Sequence, residues 1–232
     1  MIDATKDKLI VALDLPAYDE ARALVDRLGD AVSFYKIGLE LLLAGGLELA
    51  RELKFDGKRV FLDLKFLDIG NTVERAVAAA AGLGVDFLTV HGLDTKTLNA
   101  AVHGRAASNL KLLAVTVLTN LEQTDLDEQG ISLTPEQLVL HRAKLANTAG
   151  FDGVIASGQE AGAVRAASGP QFLIVTPGIR LAGADSGDQS RVTTPEDALR
   201  AGADHLVVGR PINAAKDPRA AAEAFLARIA EA

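Results

Sequence analysis

The 232-residue chain contains no cysteine, which excludes a disulfide framework, a thiolate nucleophile and a cysteine-based metal site. That absence is compatible with a reducing compartment. Tryptophan is absent too, and aromatics make up only 4% of the chain, so the core has to be packed with Leu, Val, Ile and Ala. No apolar run approaches the roughly 18 residues a membrane span requires. The first residues, Met1-Ile2-Asp3-Ala4-Thr5-Lys6-Asp7-Lys8, are polar and carry acids, unlike a secretory signal. A cytoplasmic protein is the expectation. A basic run is also missing, and the net charge of −7 disfavours non-specific nucleic-acid binding. No Pro/Ser-rich linker or low-complexity segment interrupts the chain, so one domain over residues 1–232 is expected.

What the sequence does contain is an alternation. Short apolar runs at 9–13, 33–37, from 60, 87–90, 112–117, 153–156, 172–175 and 205–208 read as buried parallel strands. Between and after them, segments at 17–29, 39–54, 72–82, 95–107, 135–148, 158–167, from 195 and at 211–230 read as helices. The helix over 39–54 has to tolerate Gly45-Gly46, and the one at 135 begins with Pro at its first turn. Eight strands alternating with eight helices predict an α/β chain closed as a (β/α)8 TIM barrel. No Gly-x-Gly-x-x-Gly follows the first apolar run, which argues against a Rossmann dinucleotide site.

Active sites of such barrels lie at the C-terminal ends of the strands. Asp14, Lys36, Asp63 and Lys65 all fall there, on three consecutive strands. Asp63 and Lys65 are two apart, so an extended strand puts both on one face, with Leu62 and Leu64 on the other. Charges at the end of an apolar strand are costly unless paired or used. Alone, the stretch fits either a partly solvated ion pair or a catalytic Asp-Lys-Asp array completed by Asp68. Four polar groups converging on one mouth favour catalysis. Asn71 or Thr72 is expected to cap the following helix, with Glu74 in its first turn.

A second cluster suits a phosphate. The eighth strand runs into Gly209-Arg210-Pro211, where glycine admits close backbone approach, the helix start offers N–H groups and Arg210 a forked donor. The loop over 176–191 is longer than compact domains usually allow without a function and reads as a lid, with Arg180 and Gln189 as anion donors. His91, His103, His141 and His205 lack metal-ligand spacing, and Asp125-Leu126-Asp127-Glu128 reads as a solvated acidic patch.

These pieces resemble the orotidine 5′-monophosphate decarboxylase family. The matching motifs, in family order, are Ala12-Leu13-Asp14, Tyr35-Lys36-Ile37-Gly38, Asp63-Leu64-Lys65-Phe66-Leu67-Asp68-Ile69-Gly70-Asn71-Thr72-Val73, Thr89-Val90-His91, Leu118-Thr119, Val175-Thr176-Pro177-Gly178-Ile179-Arg180, Gly187-Asp188-Gln189 and Val208-Gly209-Arg210. Leu67 and Gly70 stand where the family often has His and Pro, and Asn120 where Ser commonly follows Thr. Neither departure touches a charged member. The resemblance implies a homodimer that converts orotidine 5′-monophosphate to UMP and CO2 without cofactor or metal. It also implies roles: Asp14 and Lys36 at the ribose, with Lys36 bridging to Asp63; Lys65 as proton donor to C6; Asp68 and Thr72 in the neighbouring subunit's site; Thr119 at the pyrimidine; Arg180 and Gln189 in the lid; Gly209 and Arg210 at the phosphate. Asp68 lies roughly 10 Å beyond Lys65 along an extended chain, which fits projection across an interface.

Two other readings stand beside this one. Sugar-phosphate enzymes of the same superfamily, such as keto-gulonate-phosphate decarboxylase or hexulose-phosphate synthase, use Mg²⁺ and carry an acid where this chain has Lys36. A non-catalytic nucleotide-binding barrel is the other; the intact charged array speaks against it.

Overall fold

Eight short strands follow one another in sequence and in space: β1 (Leu9–Ala12), β2 (Phe34–Gly38), β3 (Arg59–Phe66), β4 (Phe87–His91), β5 (Lys111–Val115), β6 (Gly153–Ile155), β7 (Leu173–Thr176) and β8 (His205–Val208). All pair in parallel, and β8 returns to β1 through Leu9↔Leu206, Ile10↔Val207 and Val11↔Val208, closing the barrel. The structure, a computed structural model, describes residues 4–183 and 192–232.

Alternation along each strand sorts residues into two cores. Outward side chains such as Leu9, Val11, Tyr35, Ile37, Leu62 and Leu88 pack against the helices. Inward ones, including Ile10, Phe34, Phe61, Phe87, Leu113, Val175 and Val207, fill the barrel. The inward rows have a polarity gradient. At the N-terminal end the Arg59 guanidinium lies 4.0 Å over the Phe34 ring and pairs with Asp7 and Asp86. His205 closes the same end edge-on to Phe34 and Phe87, its Nδ1 2.9 Å from the Asp7 carbonyl. Burial pushes the His205 pKa below the ordinary histidine value, which keeps a neutral ring in the plug. Two residues above Phe34 and Phe61, on the same faces, come Lys36 and Asp63.

Local chemistry sets the helix starts. Thr134 and Gln137 form a reciprocal capping box before Pro135–Ala149, and Asp94, Ser157, Thr194 and Asp217 cap four other helices. Three details differ from the sequence expectation. The helix after β3 spans Gly70–Gly82, with Ile69 at its cap position and no side-chain cap, so neither Asn71 nor Thr72 caps it. The segment after β2 is broken: Leu39–Leu41 and Leu47–Phe55 are joined by a wide turn over Leu42–Gly46, with Gly45 at φ 100°. After β8 a single turn, Arg210–Asn213, is separated from the long helix Pro218–Ala230. The acidic stretch forms a short helix, Gln123–Glu128, anchored by buried Leu126.

The helix Thr95–Arg105 ends on Ala106 at φ 49°, ψ −133°. Gly29 ends the helix Tyr18–Leu28 in nearly the same conformation, φ 55°, ψ −123°. A Cβ is strained there, whereas glycine is not. Ala106→Gly is therefore expected to stabilise the fold by about 1 kcal/mol, raising Tm by about 2–4 °C for a chain of this size. Thermal unfolding followed by circular dichroism reads it, and an unchanged or lower Tm contradicts the strain.

Candidate active site

At the C-terminal mouth of the barrel lies a cavity of about 570 Å³. Its floor is apolar, formed by inward residues such as Ala12, Phe61, Val115, Ile155 and Val207, and its walls carry Asp14, Lys36, Asp63, Lys65, Thr119, Arg180, Gly209 and Arg210. Eight of the residues expected at the site from sequence are thus brought together from six different strand ends.

The charges alternate along a chain of contacts. Lys36 Nζ lies 2.9 Å from Asp14 Oδ1 and 3.4 Å from Asp63 Oδ2. Lys65 Nζ lies 2.9 Å from Asp63 Oδ1. Asp63 is therefore held between two ammonium groups, with its side chain 15% exposed against 51% for Asp14 at the rim. Burial opposes the charged form of Lys36, but the carboxylates of Asp63 and Asp14 outweigh it and raise its pKa above the ordinary lysine value. Burial likewise opposes the Asp63 carboxylate, and Lys36 and Lys65, with hydrogen bonds from Lys65 and Thr89, outweigh it and hold its pKa below the ordinary range. Both groups stay ionised although Lys36 is buried and Asp63 mostly so. Gly38 makes room for this array: a Cβ there would lie 3.2 Å from both Asp14 Oδ1 and Lys36 Nζ.

Lys65 does meet Asp63, but not by plain strand alternation. Leu62 pairs with Leu88 and Phe66 with Val90, so β3 carries four steps where β4 carries two. The extra length bulges at Asp63, Leu64 and Lys65, and Lys65 takes φ 50°. Opposite the bulge stands Thr89, fully buried; its hydroxyl donates to Asp63 Oδ1 at 2.9 Å and accepts from the Lys65 N–H at 2.9 Å. No role for Thr89 was legible in the sequence. It stands there in the motif Thr89-Val90-His91, to which no role was attached, and as a hydroxyl among the apolar residues of Phe87-Leu88-Thr89-Val90. His91, two residues further, is half-buried, and burial, then the nearby Lys65 and Arg142 charges, lower its pKa and favour the neutral ring.

The segment after β8, where the sequence predicts an anion grip, is less helical than that sequence suggests. Gly209 precedes a single turn, so the macrodipole contribution there is small. Asn213 fastens that turn to β1 by donating to the Ala12 carbonyl at 2.8 Å. Arg180 reaches the cavity from the segment after β7, which a bridge between Ile179 and Thr193 ties at its base. Gln189 and the rest of Gly187-Asp188-Gln189 lie outside the described residues. Asp68 and Thr72 are exposed and line no part of the cavity. Asp68 Oδ1 accepts from the Ile69 N–H at 2.6 Å.

Similarity to known proteins agrees with this geometry. A relative named orotidine 5′-phosphate decarboxylase from Methylobacterium radiotolerans is 57% identical over 97% of both chains. Another of that name, from Rhodopseudomonas palustris, is 52% identical over 99% of this chain and 97% of its own. The crystal structure of orotidine 5′-phosphate decarboxylase from Lactobacillus acidophilus superposes with a TM-score of 0.85 at 39% identity, covering 95% of this chain and 98% of that one. A family model also matches residues 7–225, and the chain belongs to the orotidine 5′-phosphate decarboxylase / HUMPS family.

Proposed function

We propose that this chain decarboxylates orotidine 5′-monophosphate to UMP and CO2, the last step of de novo UMP biosynthesis, and that it works in the cytoplasm as a homodimer. The observation that carries the reading is the alternating array Asp14–Lys36–Asp63–Lys65 on the wall of an apolar cavity. Lys36 speaks against the sugar-phosphate branch of the family, whose members carry an acid there to hold Mg²⁺. An ammonium 3.4 Å from Asp63 would repel the metal.

In this reading the substrate carboxylate enters beside Asp63 and the pyrimidine C6 faces Lys65. The C6–carboxylate bond breaks heterolytically, CO2 leaves, and the electron pair stays on C6. Lys65 Nζ gives that carbon a proton and is later reprotonated from water. Repulsion between Asp63 and the substrate carboxylate amounts to about 4 kcal/mol at 4 Å with an effective dielectric near 20. Enzymes typically supply about 8–23 kcal/mol, so repulsion is the smaller share. The larger share is stabilisation of the developing carbanion by an ammonium already oriented in a water-poor site. Asp14 and Lys36 take the ribose hydroxyls and Thr119 the pyrimidine. Arg210, the Gly209 backbone, Arg180 and Gln189 take the phosphate, whose binding energy closes the site over the reacting carbon.

The apolar mouth supports a dimer. Leu39 and Leu43 after β2, Leu67 and Ile69 after β3, Leu93 after β4 and Leu118 after β5 are all exposed, Leu43 at 90% and Ile69 at 79%. A two-fold contact over these consecutive loops removes that surface from water and carries Asp68 and Thr72 toward the partner's cavity.

Three outcomes are expected. UMP forms from orotidine 5′-monophosphate in the presence of EDTA, and Lys65→Ala lowers turnover about 10³-fold or more, the size of a lost proton donor and charge stabiliser. UMP affinity of that variant stays within about tenfold. Dependence on Mg²⁺, or near-normal turnover without Lys65, defeats the assignment.

Arg210→Ala weakens UMP binding by about 10–100-fold, the worth of a charged hydrogen bond, while uridine binding changes little. Turnover efficiency falls with it, because remote binding energy is lost. Isothermal titration with both ligands reads the difference; equal losses contradict a phosphate role.

Lys65→Ala and Asp68→Ala homodimers are each nearly inactive, yet mixing them restores about a quarter of wild-type activity. About half the re-paired dimers are mixed, and each has one intact site, as isologous symmetry requires. Native mass spectrometry verifies subunit exchange. Exchange without recovered activity means that Asp68 acts in its own chain.

A further inference from the structure

We infer that Thr89 is a positioning residue for the reaction: its single hydroxyl sets both the backbone of Lys65 and the rotamer of Asp63, and thereby aims the Lys65 ammonium at the reacting carbon. This rests on the mouth array being the decarboxylation site.

The geometry is a closed ring of contacts. Thr89 Oγ1 donates to Asp63 Oδ1 at 2.9 Å, Asp63 Oδ1 holds Lys65 Nζ at 2.9 Å, and the Lys65 N–H returns to Thr89 Oγ1 at 2.9 Å. A hydroxyl has one donor and two acceptor sites, so both bonds are made without conflict. The bulge explains why a side chain is needed. A regular parallel ladder would offer the Lys65 N–H a β4 carbonyl, but the shift between Leu62 and Phe66 takes the two strands out of register there. Lys65 also sits at φ 50°, a conformation that is strained for a non-glycine residue and persists only where its surroundings impose it. Thr89 is wholly buried, so water cannot take over either bond.

The Asp63 end of the ring fixes charge. Oδ1 carries the hydroxyl and the Lys65 ammonium, and Oδ2 faces Lys36 at 3.4 Å. Without the hydroxyl the carboxylate is free to rotate toward Lys36 and draw away from Lys65. None of this touches the phosphate contacts at Gly209, Arg210 and Arg180, and Lys36 keeps its bond to Asp14 at 2.9 Å, so most of the ligand's hold survives while turnover falls. A misplacement near 1 Å of a reacting group costs about 10²-fold in rate.

The test compares wild type, Thr89→Val and Thr89→Ser. Valine keeps the shape and removes the hydroxyl; serine keeps the hydroxyl. Thr89→Val is expected to lose about 10–100-fold in kcat, with UMP affinity within about threefold. Thr89→Ser is expected to retain most of the rate. If Thr89→Val fails to give a cooperative thermal transition, Thr89→Ala removes the same hydroxyl and leaves space in its place. A hydroxyl-free variant with wild-type kcat overturns the inference. So does a parallel fall in kcat and UMP affinity, or a serine variant as slow as valine. A wild-type protein that makes no UMP overturns the decarboxylase reading itself, a result separate from any of these.

Discussion

The Asp63 carboxylate, buried between the ammonium groups of Lys36 and Lys65, is the interaction on which the site depends. A carboxylate taken from water costs several kcal/mol, and a lone buried lysine costs a similar amount. Each is tolerated because the others are there. Asp63 supplies the charge that keeps Lys36 protonated, and the two lysines keep Asp63 ionised against burial. Removing Asp63 would take away the carboxylate that both lysines share, so the three groups are coupled. Nothing in it has to reorganise as charge moves onto a neighbouring carbon, which makes such an arrangement effective for carbanion chemistry.

The barrel makes that array affordable. Below it, the inward rows among the described residues are apolar and buried down to the Arg59–Phe34–Phe87–His205 plug. Above it, the cavity opens to ligand. The same two-residue period that packs Phe34 and Phe61 into the interior lifts Lys36 and Asp63 to its rim. Low polarity beneath and fixed charge above strengthen every interaction at the mouth.

Strain and division of labour follow from this placement. Lys65 occupies a backbone conformation that glycine would adopt more easily, and a fully buried hydroxyl from the next strand supports it. In the proposed reading the phosphate is taken by Gly209, Arg210 and Arg180, which line the same cavity on elements that do not share the bulge. Phosphate binding and chemistry would then draw on separate parts of the rim, with Lys36 shared between ribose and array, and the exposed apolar loops after β2 to β5 leave a third part for a partner subunit.

The sequence by itself determined the barrel and its rim. Alternating apolar runs and amphipathic segments prescribe parallel βα units, and strand ends locate Asp14, Lys36, Asp63 and Lys65, because both rest on local periodicity. Motif order was enough to indicate the family. The break after Arg210–Asn213, the wide turn at Gly45 and the uncapped start at Gly70 were not legible, since each depends on what the segment packs against. Asp63 and Lys65 were expected on one face by simple alternation; they meet there through a bulge instead. Thr89 lies 26 residues from Asp63 in sequence, and its importance comes from a register shift between two strands. Register is a property of the pair, decided when closure of the barrel brings both strands together, so only the tertiary structure could identify the hydroxyl that holds the lysine in place.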